Sequence, residues 1–252
     1  MKKTIFLLLL SFSSFILAQE NLVVKYEYQW DIDFEEFMKN RSEMSLTPEI
    51  QKQIQETLTT PRYFTLRLSS GESVYSEDEK IDNSQWGNGA TGTRSSHGAN
   101  PLYKNLKENF YLQTKVVARK NFLVKDELTE YGWKISKETK EILGYEVRKA
   151  EFSDSTKTII AWYAPKLPFK NGPEYLQGLP GLILDVEIDQ TTVNNQKSKS
   201  IWKVLSIEVD KNSLALEKPT KGKPMNEKEF QQIVKDHHKK SKEMYGGGVD
   251  KD

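Results

Sequence analysis

No cysteine occurs among the 252 residues. That absence removes thiol nucleophiles, thiol redox chemistry, thiolate zinc sites, covalent haem attachment and disulfides together. A chain of this length can hold a core without cross-links, inside or outside the cell. Histidine is scarce, with three in all. His97 stands alone in Ser96-His97-Gly98, and His237 and His238 are adjacent on a helical pattern, so they point about 100° apart. Neither has an acid or a second histidine three or four residues away, which a two-ligand metal site on a helix needs. The sequence offers no metal site, no cofactor and no catalytic constellation. An excess of one charge is also missing: 37 Lys+Arg face 36 Asp+Glu. Such a balance lacks the footprint of a nucleic-acid binder.

Long apolar runs are missing after Leu17, so no transmembrane segment is expected there. Before it, Met1-Lys2-Lys3 and the apolar stretch Thr4 to Leu17 end at Ala18, the pattern of a secretory signal peptide over residues 1–18. Loss of Lys2 and Lys3 would take the cations from 37 to 35 against 36 acids, a net charge of −1. The protein is expected to be exported, periplasmic or extracellular, with residues 19–252 forming one domain.

What the sequence does contain is period-two patterning. Leu22, Val24, Tyr26, Tyr28, Trp30 and Ile32 share one parity, and Lys25, Glu27, Gln29 and Asp31 the other, which predicts a half-buried strand. Its aromatic row reads as core, with a ligand-lining face as the alternative. Phe34, Phe37 and Met38 predict a short helix. Thr47 as N-cap and Pro48 at the first position predict a second, with Ile50, Ile54 and Leu58 as a stripe lying across a sheet. Hairpins are expected around Ser69-Ser70-Gly71, around Arg119-Lys120-Asn121 and before Tyr145, followed by strands at Thr156–Tyr163, Leu182–Ile188 and Ser200–Val209. Residues 82–100 read as a long loop. Asn226 and Glu229 form a capping-box start for a C-terminal helix over about 226–245, ended by Gly246-Gly247-Gly248 and a flexible tail. The fold class is mainly β: an antiparallel meander with one or two packed helices.

The densest signal is Gly172-Pro173-Glu174-Tyr175-Leu176-Gln177-Gly178-Leu179-Pro180-Gly181-Leu182-Ile183-Leu184. Glycine and proline at this density mark a chain path held in one unusual shape. Gly172-Pro173 can start a helical turn that Gly178 ends. Leu179-Pro180-Gly181-Leu182 fits a type II turn with Gly181 at positive φ. An anion cradle is the alternative, but the lysine and hydroxyl of a P-loop do not follow these glycines, and a strand follows where a P-loop has a helix. Just beyond, Asp185 and Glu187 lie at i and i+2 on one strand face. They read as solvent-facing partners for lysines, with a hydrolytic acid pair as the alternative.

Gly178-Leu179-Pro180-Gly181-Leu182-Ile183 spells the signature of the GLPGLI family of exported Bacteroidetes proteins, and the chain resembles that family. The likeness extends from about Tyr103 to Leu184 through Trp133-Lys134-Ile135, Glu138-Thr139-Lys140, Ile142-Leu143-Gly144-Tyr145, Lys149-Ala150 and Ala161-Trp162-Tyr163-Ala164-Pro165. Val147 departs from it, standing where many members have a cysteine. The resemblance implies a curved sheet, a bowl or half-barrel, since similar modules are bowl-shaped accessory domains in front of secreted glycoamidases. It transfers no catalytic residue; Gly172, Pro173, Gly178, Leu179, Pro180, Gly181, Leu182 and Ile183 form a structural motif. The expected function is a cell-envelope binding or accessory role, with a carboxylate-dependent hydrolase or glycan-acting accessory domain as the alternative. Family genes neighbour outer-membrane receptors, so the expected partner is such a receptor, another envelope protein, or a small apolar ligand.

Overall fold

A computed structural model describes residues 21–39, 47–78, 100–191, 197–211 and 215–246. The leader at 1–18, His97 with the loop expected before Asn100, the turn at Asn194-Asn195 and Gly247-Gly248 lie outside the described residues.

Twelve strands are described: β1 Leu22–Ile32, β2 Arg62–Ser69, β3 Glu72–Glu77, β4 Leu102–Asn105, β5 Phe110–Val117, β6 Lys120–Glu127, β7 Lys134–Ile142, β8 Tyr145–Ser153, β9 Lys157–Ala164, β10 Leu182–Thr191, β11 Lys197–Val209 and β12 Lys223–Met225. The helices are α1 Phe34–Lys39, α2 Pro48–Thr59 and α3 Glu227–Gly246. All strands join one open sheet in the order β12-β6-β5-β4-β3-β2-β1-β11-β10-β9-β8-β7. The fold class is mainly β, as expected, with one correction: β12 pairs with β6 in parallel, so the sheet is mixed. A three-residue strand of Lys-Pro-Met carries too little pattern to be read from sequence.

The alternating row of β1 becomes the centre of the sheet because both flanks find partners, β2 on one side and β11 on the other. Leu22, Val24, Tyr26 and Tyr28 are buried. Hairpins close through two-residue turns with positive φ at both positions: Ser70 (49°) and Gly71 (90°), Ala118 (49°) and Arg119 (62°), Leu143 (50°) and Gly144 (79°). These are the turns whose twist matches paired strands. The β5–β6 turn thus sits at Ala118-Arg119, ahead of the Arg119-Lys120-Asn121 expected.

Curvature follows from one short connection. β6 and β7 stand ten strand steps apart, about 48 Å on a flat sheet, yet only residues 128–133 join them, and these reach about 24 Å at most. The sheet must therefore roll until its two ends approach. β7 remains the open edge, and it carries Lys134, Lys137 and Lys140 and a register shift between Ile135 and Thr139, the usual protections against further pairing.

The helices are peripheral. No α2 residue is buried; Ile54 and Leu58 are half-buried and Ile50 is 42% exposed, so the expected stripe covers little. α3 docks through Phe230, which packs against Phe122, with Ile233 and Val234 beside it. Its capping box is formed: Glu229 N–H donates to Asn226 Oδ1 (2.8 Å) and Asn226 N–H to Glu229 Oε2 (3.0 Å). Asn226→Ala is expected to cost about 1 kcal/mol, measured as faster amide exchange over the first turn of α3.

Candidate functional site: a strap across the concave face

β9 ends at Ala164 and β10 begins at Leu182, and those two residues are register partners. Two residues would close such a hairpin. Residues 165–181 instead make an excursion, so their length answers to something other than connection. They run over the inner face of the sheet, the face of the buried row in β1, and touch strands of the opposite half. Where the strap runs into β10, Tyr26 OH of β1 donates to Ile183 O (2.6 Å), and burial raises its pKa. Asn171 Nδ2 donates to Ser73 Oγ of β3 (2.9 Å), and Tyr175 OH to Gln113 Oε1 of β5 (2.6 Å). Trp133 Nε1 donates to Gln177 O (3.0 Å), while Gln177 Nε2 reaches Thr129 O (2.8 Å) in the short β6–β7 link. Leu176 and Leu179 are buried between these anchors. The strap fills the bowl.

At its middle lies Lys104 of β4, with 0% of its surface exposed. Its Nζ donates to Gly172 O (2.8 Å) and Leu176 O (3.2 Å). Burial pulls its pKa down to about 7, opposed by the nearby Glu174 carboxylate. A neutral amine has two N–H donors, one for each of these carbonyls. Glu174 forms the bend between them. Leu176 N–H closes a turn on Pro173 O (3.1 Å), and Glu174 takes a φ of 48°, a left-handed conformation that non-glycine residues hold only when the surroundings impose it. Its charge also helps raise the pKa values of Tyr28, Tyr75, Tyr131 (to about 12) and Tyr175, with burial as the larger cause in each. Four tyrosines and Lys104 thus feel this one carboxylate.

The expected turns differ in detail. Residues 172–177 are not a helical turn, because a left-handed Glu174 cannot sit in a right-handed helix; Asn171 and Gln177 instead form an isolated antiparallel bridge. Gly178 has a φ of 93°. Gly181 has no positive φ, so Leu179–Leu182 is not a type II turn; its N–H bonds Leu179 O (2.8 Å) across Pro180, a γ-turn. What requires glycine at 181 is space. A Cβ there would stand 2.3 Å from Ala164 O and 2.7 Å from Ala164 C. At Gly172 a Cβ would meet Ile183 Cβ at 2.8 Å. Leu182, Ile183 and Leu184 are all fully buried.

Other candidates lie elsewhere. Asp185 and Glu187 face away from the strap and bind different lysines, Lys140 (3.3 Å) and Lys199 (3.2 Å); Asp185 also accepts from Val204 N–H (3.2 Å). They do not converge on a cleft. An open cleft of about 720 Å³ between the ends of β9, β10 and β11 is lined by Asp31, Asp154, Asp189, Lys157 and Lys199 among others. Lys199 is spent on Glu187 and Asp189, and Asp154 on the N–H groups of Thr156 and Lys157. His237 and His238 are exposed on α3, and no group of three His, Asp or Glu among the described residues could hold a metal. Lys104 and Asn171 carry no signal in the sequence, and Glu174 and Tyr175 stand in the glycine-proline stretch without a role of their own, although all four fall inside the stretch that carries the family resemblance.

The fold is similar to that of PNGF-II in two crystal forms, with TM-scores of 0.53 and 0.54 at 18% identity, covering 86% of this chain and 33% and 34% of PNGF-II. At that identity the likeness concerns the fold, and the chain spans about a third of the PNGF-II length. A LolA superfamily protein from Nitrosomonas europaea aligns over 77% of this chain and 87% of its own at 5% identity, with a TM-score of 0.31, too low to support an argument. No curated protein matches the sequence. Residues 151–185 match a family described as "Protein of unknown function (Porph_ging)". That segment holds the last three residues of β8, all of β9, the strap and the start of β10.

Proposed function

We propose that this protein is an exported accessory module of the cell envelope that meets a protein partner through its outer face and rim and performs no chemistry of its own. The filled inner face carries this reading. In a ligand carrier the concave side of a curved sheet is the cavity; here Leu176, Leu179, Tyr175 and the Lys104 clamp occupy it. No helix among the described residues is long and apolar enough to cross a membrane. The leader pattern at 1–18 supports export, and a likeness to about a third of a longer chain suits an accessory domain.

Two measurements test it. Titration with a fluorescent fatty-acid probe is expected to show no saturable binding; a stoichiometric, displaceable complex would mean that the strap yields to an apolar ligand and would end the reading. Photo-crosslinking residues placed at Glu151 and Lys203, both away from the strap, are expected to give one discrete protein adduct in intact envelopes. Absence of any adduct from both positions would remove the protein partner.

A further inference from the structure

The second half of α3 has no counterpart in the sheet. Phe230, Ile233 and Val234 are its residues packed on the core, whereas Lys235 to Lys240 are all exposed. From Lys235 to Gly246 the helix continues for about 18 Å beyond its last docked residue. Residues 235–243 read Lys-Asp-His-His-Lys-Lys-Ser-Lys-Glu, without one apolar side chain. Lys235 to Lys240 pack on nothing, and a helical stretch without packing is marginal in water, so an external surface has work to do here.

The charges are ordered. Lys235 and Lys239 stand at i and i+4 of one face, with His238 at i+3 beside them. The row occupies an arc of about 100° and is turned about 140° from the face bearing Phe230, Ile233 and Val234. Asp236 lies off the row, where it accepts from Gln232 Nε2 (2.9 Å). No ion pair to Lys235, Lys239 or Lys240 occurs among the described residues, although α3 begins with Glu227 fully engaged by Lys115 (2.7 Å). Acids near the N-terminus are satisfied by the fold, and bases farther along are left outward.

We propose that this basic row on the projecting half of α3 docks the protein onto an anionic phospholipid surface. The proposal does not depend on the protein-partner reading above. A straight row on one helix face meets a plane along a line, which suits a sheet of headgroups. The absence of apolar residues on the row means adsorption at headgroup level without insertion. A nucleic-acid duplex fits less well, since the whole chain is close to neutral.

The test is sedimentation of the chain beginning after Ala18 with vesicles of phosphatidylcholine alone or with about one-third phosphatidylglycerol, at low ionic strength. Binding is expected to the anionic vesicles only, and to be released at about 0.5 M salt. Each basic residue at such a surface contributes about fivefold, so Lys235→Gln with Lys239→Gln should lower partitioning on the order of 20-fold. Circular dichroism checks that α3 persists in this variant, as Gln keeps the helix propensity of Lys. Lys134→Gln with Lys137→Gln, exposed on β7, makes the same change in net charge and should leave partitioning within about twofold. Equal binding to neutral vesicles, no binding at all, an unchanged α3 variant, or an equal loss in the β7 variant each overturns the proposal. So does tighter binding to duplex DNA than to vesicles at equal phosphate concentration.

Discussion

Replacing Gly181 by alanine is expected to cost about 3 kcal/mol, read as a lower urea midpoint with an unchanged slope. The added Cβ would stand 2.3 Å from Ala164 O, 2.7 Å from Ala164 C and 3.0 Å from Pro165 Cα. All three are main-chain atoms, and Ala164 is held in register against Leu182, so nothing flexible can give way. Two other glycines calibrate the result. At Gly172 the obstacle is the Ile183 side chain, with Cδ1 at 2.9 Å, and a rotamer change relieves part of the clash; about 1.5 kcal/mol is expected. At Gly144 a Cβ meets nothing within 4 Å, but φ is 79°, so alanine there should cost about 1 kcal/mol through backbone strain alone. The order 181, 172, 144 separates close backbone approach from positive φ. Equal losses at 181 and 144 would show that conformation, and not space, demands glycine at 181.

The signature stretch shows how far the sequence could be read. The reasons its sequence suggests for individual glycines are turn chemistry, yet at Gly172 and Gly181 the demand for glycine is a close contact. A sequence displays local backbone preferences; it does not display that Ala164 and Gly181 touch until the β9–β10 register is known. The same limit hid β4. Its four residues are all buried, but Lys104 among them reads as a solvent position, since lysine is almost never fully buried. β7 erred the other way: it lies at the sheet edge with most residues exposed, so only Trp133 to Ile135 read as strand and the polar residues after them read as a turn. By contrast β1, the β2–β3 hairpin and the start of α3 were legible because each carries its signal locally, in period-two burial, a Ser-Gly turn and a reciprocal cap. The strap itself was not legible as a filler of the bowl. That requires the sheet to curl, and the curl follows from which strands pair and from six residues between β6 and β7.

Curling also explains why one side chain can hold the strap. In a flat sheet β4 and β10 would lie five strand steps apart, about 24 Å. Rolled, they face each other closely enough for Asn171 O to accept from Ile183 N–H (2.9 Å) while Lys104 of β4 binds the carbonyl of the next residue, Gly172. The Lys104 clamp therefore ties the two halves of the sheet through the strap, and its loss should be felt as global stability and not as local fraying.

Lys104→Met is the variant that measures this clamp, because methionine keeps much of the volume and removes the donor. Gly172 O and Leu176 O then lose their buried partner, and about 2–3 kcal/mol of destabilisation is expected near pH 9. The effect should shrink as pH falls. In the native state the amine titrates near 7 because burial disfavours the ammonium; unfolded, it titrates near 10.4. Between those values the unfolded chain holds a proton that the folded chain lacks, so this group makes wild-type stability rise with pH from about 7 toward 10. Below about pH 6 both states are protonated and the slope vanishes. Above about pH 10 the raised pKa values of Tyr26, Tyr75 and Tyr111 act in the opposite sense, because the native state then keeps protons that the unfolded chain has lost. Urea unfolding at pH 6, 7.5 and 9 is therefore the useful window. The gap between wild type and Lys104→Met should widen by about 3 kcal/mol across it, from about 1.4 kcal/mol per pH unit acting over roughly two units. Parallel stability curves for the two proteins would mean that Lys104 keeps its ordinary pKa in the folded state, and that the strap is held by a solvated ammonium instead of a dry amine.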